Sequence, residues 1–208
     1  MTEARPELKP AQPVFEEDRA RAGFYALIAR LFHAGPDAQL LAAIAAADDI
    51  AGEDEIAPLA AAWRALRVAA AAMDAEAARE EYDKVFVGTG KAEITPYASH
   101  YLAESMQERV LVRLREELAE MGLAKNRSAA EYEDHFSGLC EVMRYLIAAG
   151  SGDVAVQKQK LFLLEYVVPW YAGFCAAVMA SPNTDFYKKV AAFTKAFLDV
   201  EADAFGMI

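Results

Sequence analysis

Residues 131–135 read Glu-Tyr-Glu-Asp-His and stand at the mouth of an amphipathic helix, since Phe136, Leu139, Cys140, Met143, Leu146 and Ile147 follow at helical spacing. Carboxylates and an imidazole thus meet the free N–H groups of a first helical turn. Glu131, Asp134 and His135 admit three readings. They could simply complement the helix dipole, which is worth ~0.3–1 kcal/mol. Asp134 and His135 could form an acid–base pair, or the group could be a polar rim for a cationic or amide-rich ligand. Acid–base chemistry would also need a nucleophile or a metal. The chain has only three histidines, at 33, 100 and 135, no Glu-x-x-His and no Cys-x-x-Cys. The alternative of a helical metal-dependent hydrolase using Asp134 and His135 therefore lacks further ligands at recognisable spacing.

Other polar motifs fail on spacing. Asp48-Asp49 with Glu53 faintly resembles a magnesium-binding acidic cluster, but Gly52 occupies the place of the third carboxylate. Val87-Gly88-Thr89-Gly90-Lys91 has the glycines and lysine of a phosphate loop without its Gly-x4-Gly-Lys-Ser/Thr spacing or a preceding strand, so it reads as a connector. Aromatic residues flank this connector: Tyr82 and Phe86 before it, Tyr97 and Tyr101 after Pro96. Such a cluster is either core or the lining of a groove for an apolar peptide. Cys140 and Cys175 each lie on an apolar helical face and read as buried thiols.

Every periodic segment that must position these residues is helical. Phe24, Leu27, Ile28, Leu31 and Phe32 form one face, stopped by Gly35-Pro36. Asp37 and Asp74 are placed to cap the helices carrying Leu40, Leu41 and Ile44 and, further on, Tyr82, Val85 and Phe86. Leu59, Trp63 and Leu66 mark an alanine-rich helix between them. Val110 to Met121 form another, with Gly122 suited to its C′ position. Helices are expected over 154–168, 170–180 and 185–200, with Pro169 as a break. No window alternates long enough for a strand. The expectation is an all-α bundle of about nine or ten helices over 15–208, preceded by a loose arm, 1–14. A hinge near 122–131 could divide the bundle into two lobes or permit a domain-swapped homodimer.

Composition narrows the functions. The 208 residues carry a net charge of −11, which disfavours nucleic acid and suits partners that bring positive charge. There is no secretory signal and no uncharged run of membrane-spanning length, so the chain reads as cytoplasmic. Neither a cofactor nor a metal is called for.

Six segments in order resemble the TorD-like family of cytoplasmic redox-enzyme maturation chaperones (the TorD, DmsD and NarJ type). The helix with Tyr25, Leu27, Ala29, Leu31 and Phe32, followed by Gly-Pro, resembles the family's opening helix. Tyr82 to Gly88 resembles its Tyr-x-x-Leu-Phe-x-Gly signature, and Pro96 to Tyr101 its Pro-Tyr/Trp-x-Ser-x-Tyr segment. Residues 131–135 resemble its Glu-Pro-x-Asp-His hallmark, with Tyr132 in place of proline. Phe162 to Phe174 resembles its Phe-Leu-x-x-His-x-x-Pro-Trp motif with Tyr166 for histidine, and the run from Phe186 to Glu201 its closing helix. The resemblance implies an all-α fold, no catalysis, and a partner in the catalytic subunit of a molybdopterin-dependent oxidoreductase. It implies binding of that partner's twin-arginine signal peptide until the cofactor is inserted. On this expectation Tyr82, Phe86, Pro96, Tyr97 and Tyr101 receive the apolar stretch. Glu131 and Asp134 attract the arginines, and His135 fixes Asp134 or donates to the peptide.

Overall fold

The computed structural model describes residues 15–50, 56–102, 104–123, 133–150 and 152–207. The arm 1–14, most of the acidic loop after Ile50, the linker 124–130, Glu131 and Tyr132 lie outside the described residues. Ten α-helices and no named strand appear among those described: α1 Glu16–His33, α2 Ala38–Ala46, α3 Ala57–Ala72, α4 Ala75–Tyr82, α5 Ala98–Tyr101, α6 Glu104–Glu120, α7 Phe136–Ala148, α8 Asp153–Tyr166, α9 Tyr171–Ala180 and α10 Phe186–Gly206. The all-α expectation holds.

Local chemistry sets the boundaries. Asp37 and Asp74 cap α2 and α4 as expected, accepting from the N–H of Leu40 (2.7 Å) and from Glu76 and Ala77 (3.0 and 3.1 Å). Gly122 ends α6 at φ +72°, and the bonds Leu123 N–H to Leu118 O and Gly122 N–H to Ala119 O complete a Schellman motif. The last helix runs six residues past the expected end. Phe205 extends its apolar face, and the Arg21 guanidinium sits 5.4 Å above the Phe205 ring. Two elements escaped the sequence reading: the short α5, and a π-helical turn, Asp83–Val87, that continues α4. One residue more per turn carries no hydropathy signature in so short a run.

Helix α1 packs along α7, and α10 lies against α3 and α9, so α1, α7 and α10 enclose the core. Two tyrosines from elsewhere close the exposed carbonyls at the end of α1. Tyr187 donates its hydroxyl to Leu31 O, and Tyr82 donates to Phe32 O and His33 O. Glu81 caps the first turn of α10 through the N–H groups of Phe186 and Tyr187 (3.1 and 2.7 Å). Gly35 permits the crossing of α1 and α4, because a Cβ there would meet Arg79 Cα at 2.9 Å. At the opposite end of the bundle, Glu201 of α10 accepts a bidentate pair from Arg21 (2.7 and 2.9 Å) and the Tyr25 hydroxyl (3.0 Å). Arg21 also reaches Gln159, so one buried network fastens α1, α8 and α10.

Among the described residues no single helix is long and apolar enough to cross a membrane; α8 and α9 together are bent by 53°. Their apolar length instead serves the core, where Phe162, Leu163, Phe174, Cys175 and Val178 are buried. Both cysteines are unpaired and fully buried, and burial pushes both thiols upward in pKa.

Candidate functional site

The site begins with the turn that starts α7. His135 is its N-cap: Nδ1 accepts from Ser137 N–H (3.2 Å) and lies 2.7 Å from Ser137 Oγ. Both contacts converge on the lone pair of Nδ1, which assigns the ring hydrogen of the neutral form to Nε2. Asp134 turns the other way. Its carboxylate accepts from Ser99 N–H (2.8 Å) in the first turn of α5, and its carbonyl accepts from Ala98 N–H (3.1 Å). Phe136 N–H returns a bond to Pro96 O (2.9 Å), making an isolated antiparallel bridge between Tyr97 and His135. Two distant motifs, 96–99 and 134–136, are thereby clamped into one unit.

Burial assigns the roles. Asp134 is 2 % exposed and His135 3 %. So enclosed, and with the Ser99 N–H already on it, the Asp134 carboxylate makes a structural contact inside the fold. Among the described residues no three ligating side chains converge as a metal site. Glu133 is engaged with Arg115 of α6 at 3.4 Å. Glu131 lies outside the described residues.

The aromatic residues expected to form a groove divide in two. Tyr82, Phe86 and Pro96 are buried, whereas Tyr97 and Tyr101 are half-buried and reach the surface. Phe86 has ring neighbours Phe32 at 5.7 Å, Tyr187 at 5.1 Å, Tyr82 at 5.3 Å and Phe174 at 6.3 Å. Tyr101 stacks on Trp170 at 5.3 Å, and Trp170 and Phe174 lie 5.3 and 5.0 Å from Phe136. Trp170 donates its indole N–H to Tyr166 O (2.7 Å) at the end of α8. Phe32 joins the opening helix to the rest, 5.3 Å from Phe136 and 5.1 Å from Phe174. Each motif therefore sends rings into one continuous aromatic cluster, in mostly edge-to-face or tilted contacts.

The connector between Phe86 and Pro96 is held at both ends. Gly88 sits at φ +64°, and a Cβ there would come within 2.3 Å of Lys91 O. Ile94 N–H bonds Val85 O (3.0 Å), and Glu93 accepts from Ser181 Oγ (2.6 Å) and Asn183 Nδ2 (2.7 Å) across the α9–α10 turn. These bonds hold the Glu93 carboxyl below its usual pKa.

A family model described as nitrate reductase delta subunit matches residues 53–176, more than half of the chain. The chain belongs to the nitrate reductase delta subunit family. The family comprises chaperones of molybdoenzyme maturation, consistent with the all-α fold and with the TorD-like motifs. No curated protein matches the chain. The matched span holds the segments 82–88, 96–101, 131–135 and 162–174, while α1 and α10 lie outside it. In this member of the delta subunit family, then, matched residues 96–99 and 134–136 build the α5–α7 clamp, and the matched segments 82–88 and 162–174 send rings into the aromatic cluster.

Sequence reasoning did not find a second feature, a groove at the far end of α7 between α6 and α8. Its only linear trace is the pair Val154 and Leu161, seven residues apart on α8, which is an ordinary helical spacing for core residues; both are exposed.

Proposed function

We propose that this delta subunit family member is a chaperone that binds the twin-arginine signal peptide of a molybdoenzyme catalytic subunit. It keeps the enzyme from export until its cofactor has been inserted. The observation that carries this reading is the family match over residues 53–176, which takes in four of the motif segments. The chain's net charge of −11 supports it, since a signal of this kind begins with cationic arginines. Of the expected contact residues, Tyr97 and Tyr101 have the exposure to receive apolar side chains. His135 packs on Tyr97 at 4.8 Å and Asp134 holds the first turn of α5, while the buried Tyr82, Phe86 and Pro96 are proposed as the backing of this surface and Glu131 as an adjoining charge contact.

Isothermal titration of the full chain with a twin-arginine signal peptide tests this. Saturable binding that weakens when the arginine pair is replaced by glutamines is the expected result. Absence of binding would remove the proposal. Tyr97→Ala and Tyr101→Ala should each weaken binding by about 1 kcal/mol, the cost of losing part of an aromatic contact.

A further inference from the structure

At the C-terminal end of α7 a groove of about 1350 Å³ opens between α6 and α8. Small-molecule pockets run to roughly 300–1,000 Å³, so this space suits a peptide segment better than a metabolite. Its floor is Leu146 and Phe162, both buried, and its lip is Tyr145, Val154 and Leu161. Of the nine large apolar side chains exposed among the described residues, those three line this one groove, with Val154 at 73 % and Leu161 at 63 %. Scattered apolar residues need no explanation, but several around one concavity mark an interaction surface.

The charge around this groove is chosen as well. Glu117 and Glu120 stand one turn apart on α6 and Asp153 opens α8, with Lys158 the one cation lining the groove among the described residues. None of the three carboxylates makes an ion pair among the described residues. Behind Glu117, the buried Tyr166 hydroxyl lies near that carboxylate without hydrogen-bond geometry to it or to any other group described. The turn at the other end of α7 is the reverse: the Asp134 carboxylate is buried on the Ser99 N–H and Glu133 is paired with Arg115.

We infer that this groove receives the arginine pair of the bound peptide, with Glu117 and Glu120 as its carboxylate partners. The site of this charge recognition is then α6–α7–α8 and not the 134–135 turn. The inference rests on the proposed function. Geometry makes the two parts compatible. Helix α7, 13 residues long, spans about 20 Å, which an extended peptide covers in about six residues. A peptide with its arginines in the groove can pass over Tyr145 and bring its apolar stretch to Tyr97 and Tyr101.

Fluorescence anisotropy on the full chain tests the assignment. One labelled peptide carries Arg-Arg before an apolar run of about ten leucines and alanines, and a second carries Gln-Gln in the same place. The wild-type chain should prefer the Arg-Arg peptide by roughly tenfold. Glu117→Gln with Glu120→Gln should bring the two peptides within about twofold of each other, whereas Leu161→Ser should weaken both alike. Unchanged melting curves would show that the variants are folded. A double variant that keeps the tenfold preference overturns the groove assignment. A wild-type chain that binds neither peptide overturns the underlying function as well. A photo-crosslinker beside the arginine pair should attach to α6 or α8; attachment within 96–101 instead would also overturn the assignment.

Discussion

Asp134→Ala separates a strut from a ligand contact. In the folded chain the Asp134 carboxylate satisfies Ser99 N–H at 2.8 Å in a place where Asp134 is only 2 % exposed. Truncation to alanine leaves that N–H without an acceptor, a loss of about 1–3 kcal/mol. For a chain of this size each kcal/mol lowers Tm by about 2–4 °C, so a central loss near 2 kcal/mol corresponds to about 4–8 °C. Asp134→Asn keeps an amide oxygen for Ser99 and should cost under about 1 kcal/mol. Neither loss approaches the ~5–15 kcal/mol of a typical domain, so at 25 °C the folded population stays near unity. Affinity for an Arg-Arg peptide should therefore remain within about twofold of wild type in both variants. Circular dichroism melts and titration calorimetry read the two quantities on the same samples. If Asp134→Asn leaves Tm unchanged but weakens the Arg-Arg peptide tenfold, the carboxylate is a contact and the reasoning from burial fails.

Three further outcomes are expected. Gly88→Ala should destabilise by about 2 kcal/mol or more, because φ is +64° and the new methyl would approach Lys91 O to 2.3 Å; a denaturant melt with unchanged slope reads it. Glu93 should contribute stability that is complete above the ordinary carboxylate range and is lost as pH falls through its lowered folded pKa. The Tm difference between wild type and Glu93→Gln should accordingly be largest at neutral pH and vanish in acid; a difference that grows in acid contradicts the sign. Cys140 and Cys175, buried with raised thiol pKa values, should resist iodoacetamide in the native chain and react together on unfolding, as mass spectrometry would show.

The helices were legible because their signals are local. Asp37, Asp74 and Gly122 act through residues two to five positions away, and the apolar stripes of α1, α3 and α7 follow a period of 3.6. Exposure was not legible. Phe86 and Tyr97 flank the same connector, yet one is core and the other reaches the surface, because Phe32, Phe174 and Tyr187 come from helices far along the chain to cover Phe86. The roles at 134–135 were legible only in part: the clustered ionisable types were visible and His135 caps its own helix through Ser137, but the contact of Asp134 depends on Ser99 being brought opposite it.

The order of motifs along the chain has a physical basis in the aromatic cluster. A ring at 32, 86, 101, 136, 170, 174 or 187 has neighbours drawn from other motifs, so replacing one leaves a cavity that faces several segments at once. Phe136 illustrates the coupling. Its ring packs on Phe32, Trp170 and Phe174 while its N–H holds Pro96 O, so one residue links the core to the α5–α7 clamp. Residues so interlocked are poorly placed to open for each ligand, since exposing even Phe86 alone would forfeit about 1.5–3 kcal/mol of burial. On the proposed function, recognition therefore falls to side chains that stand outside this cluster or at its edge. Those are Tyr97 and Tyr101 at the head of α7, and the carboxylates and apolar lip of the groove at its foot.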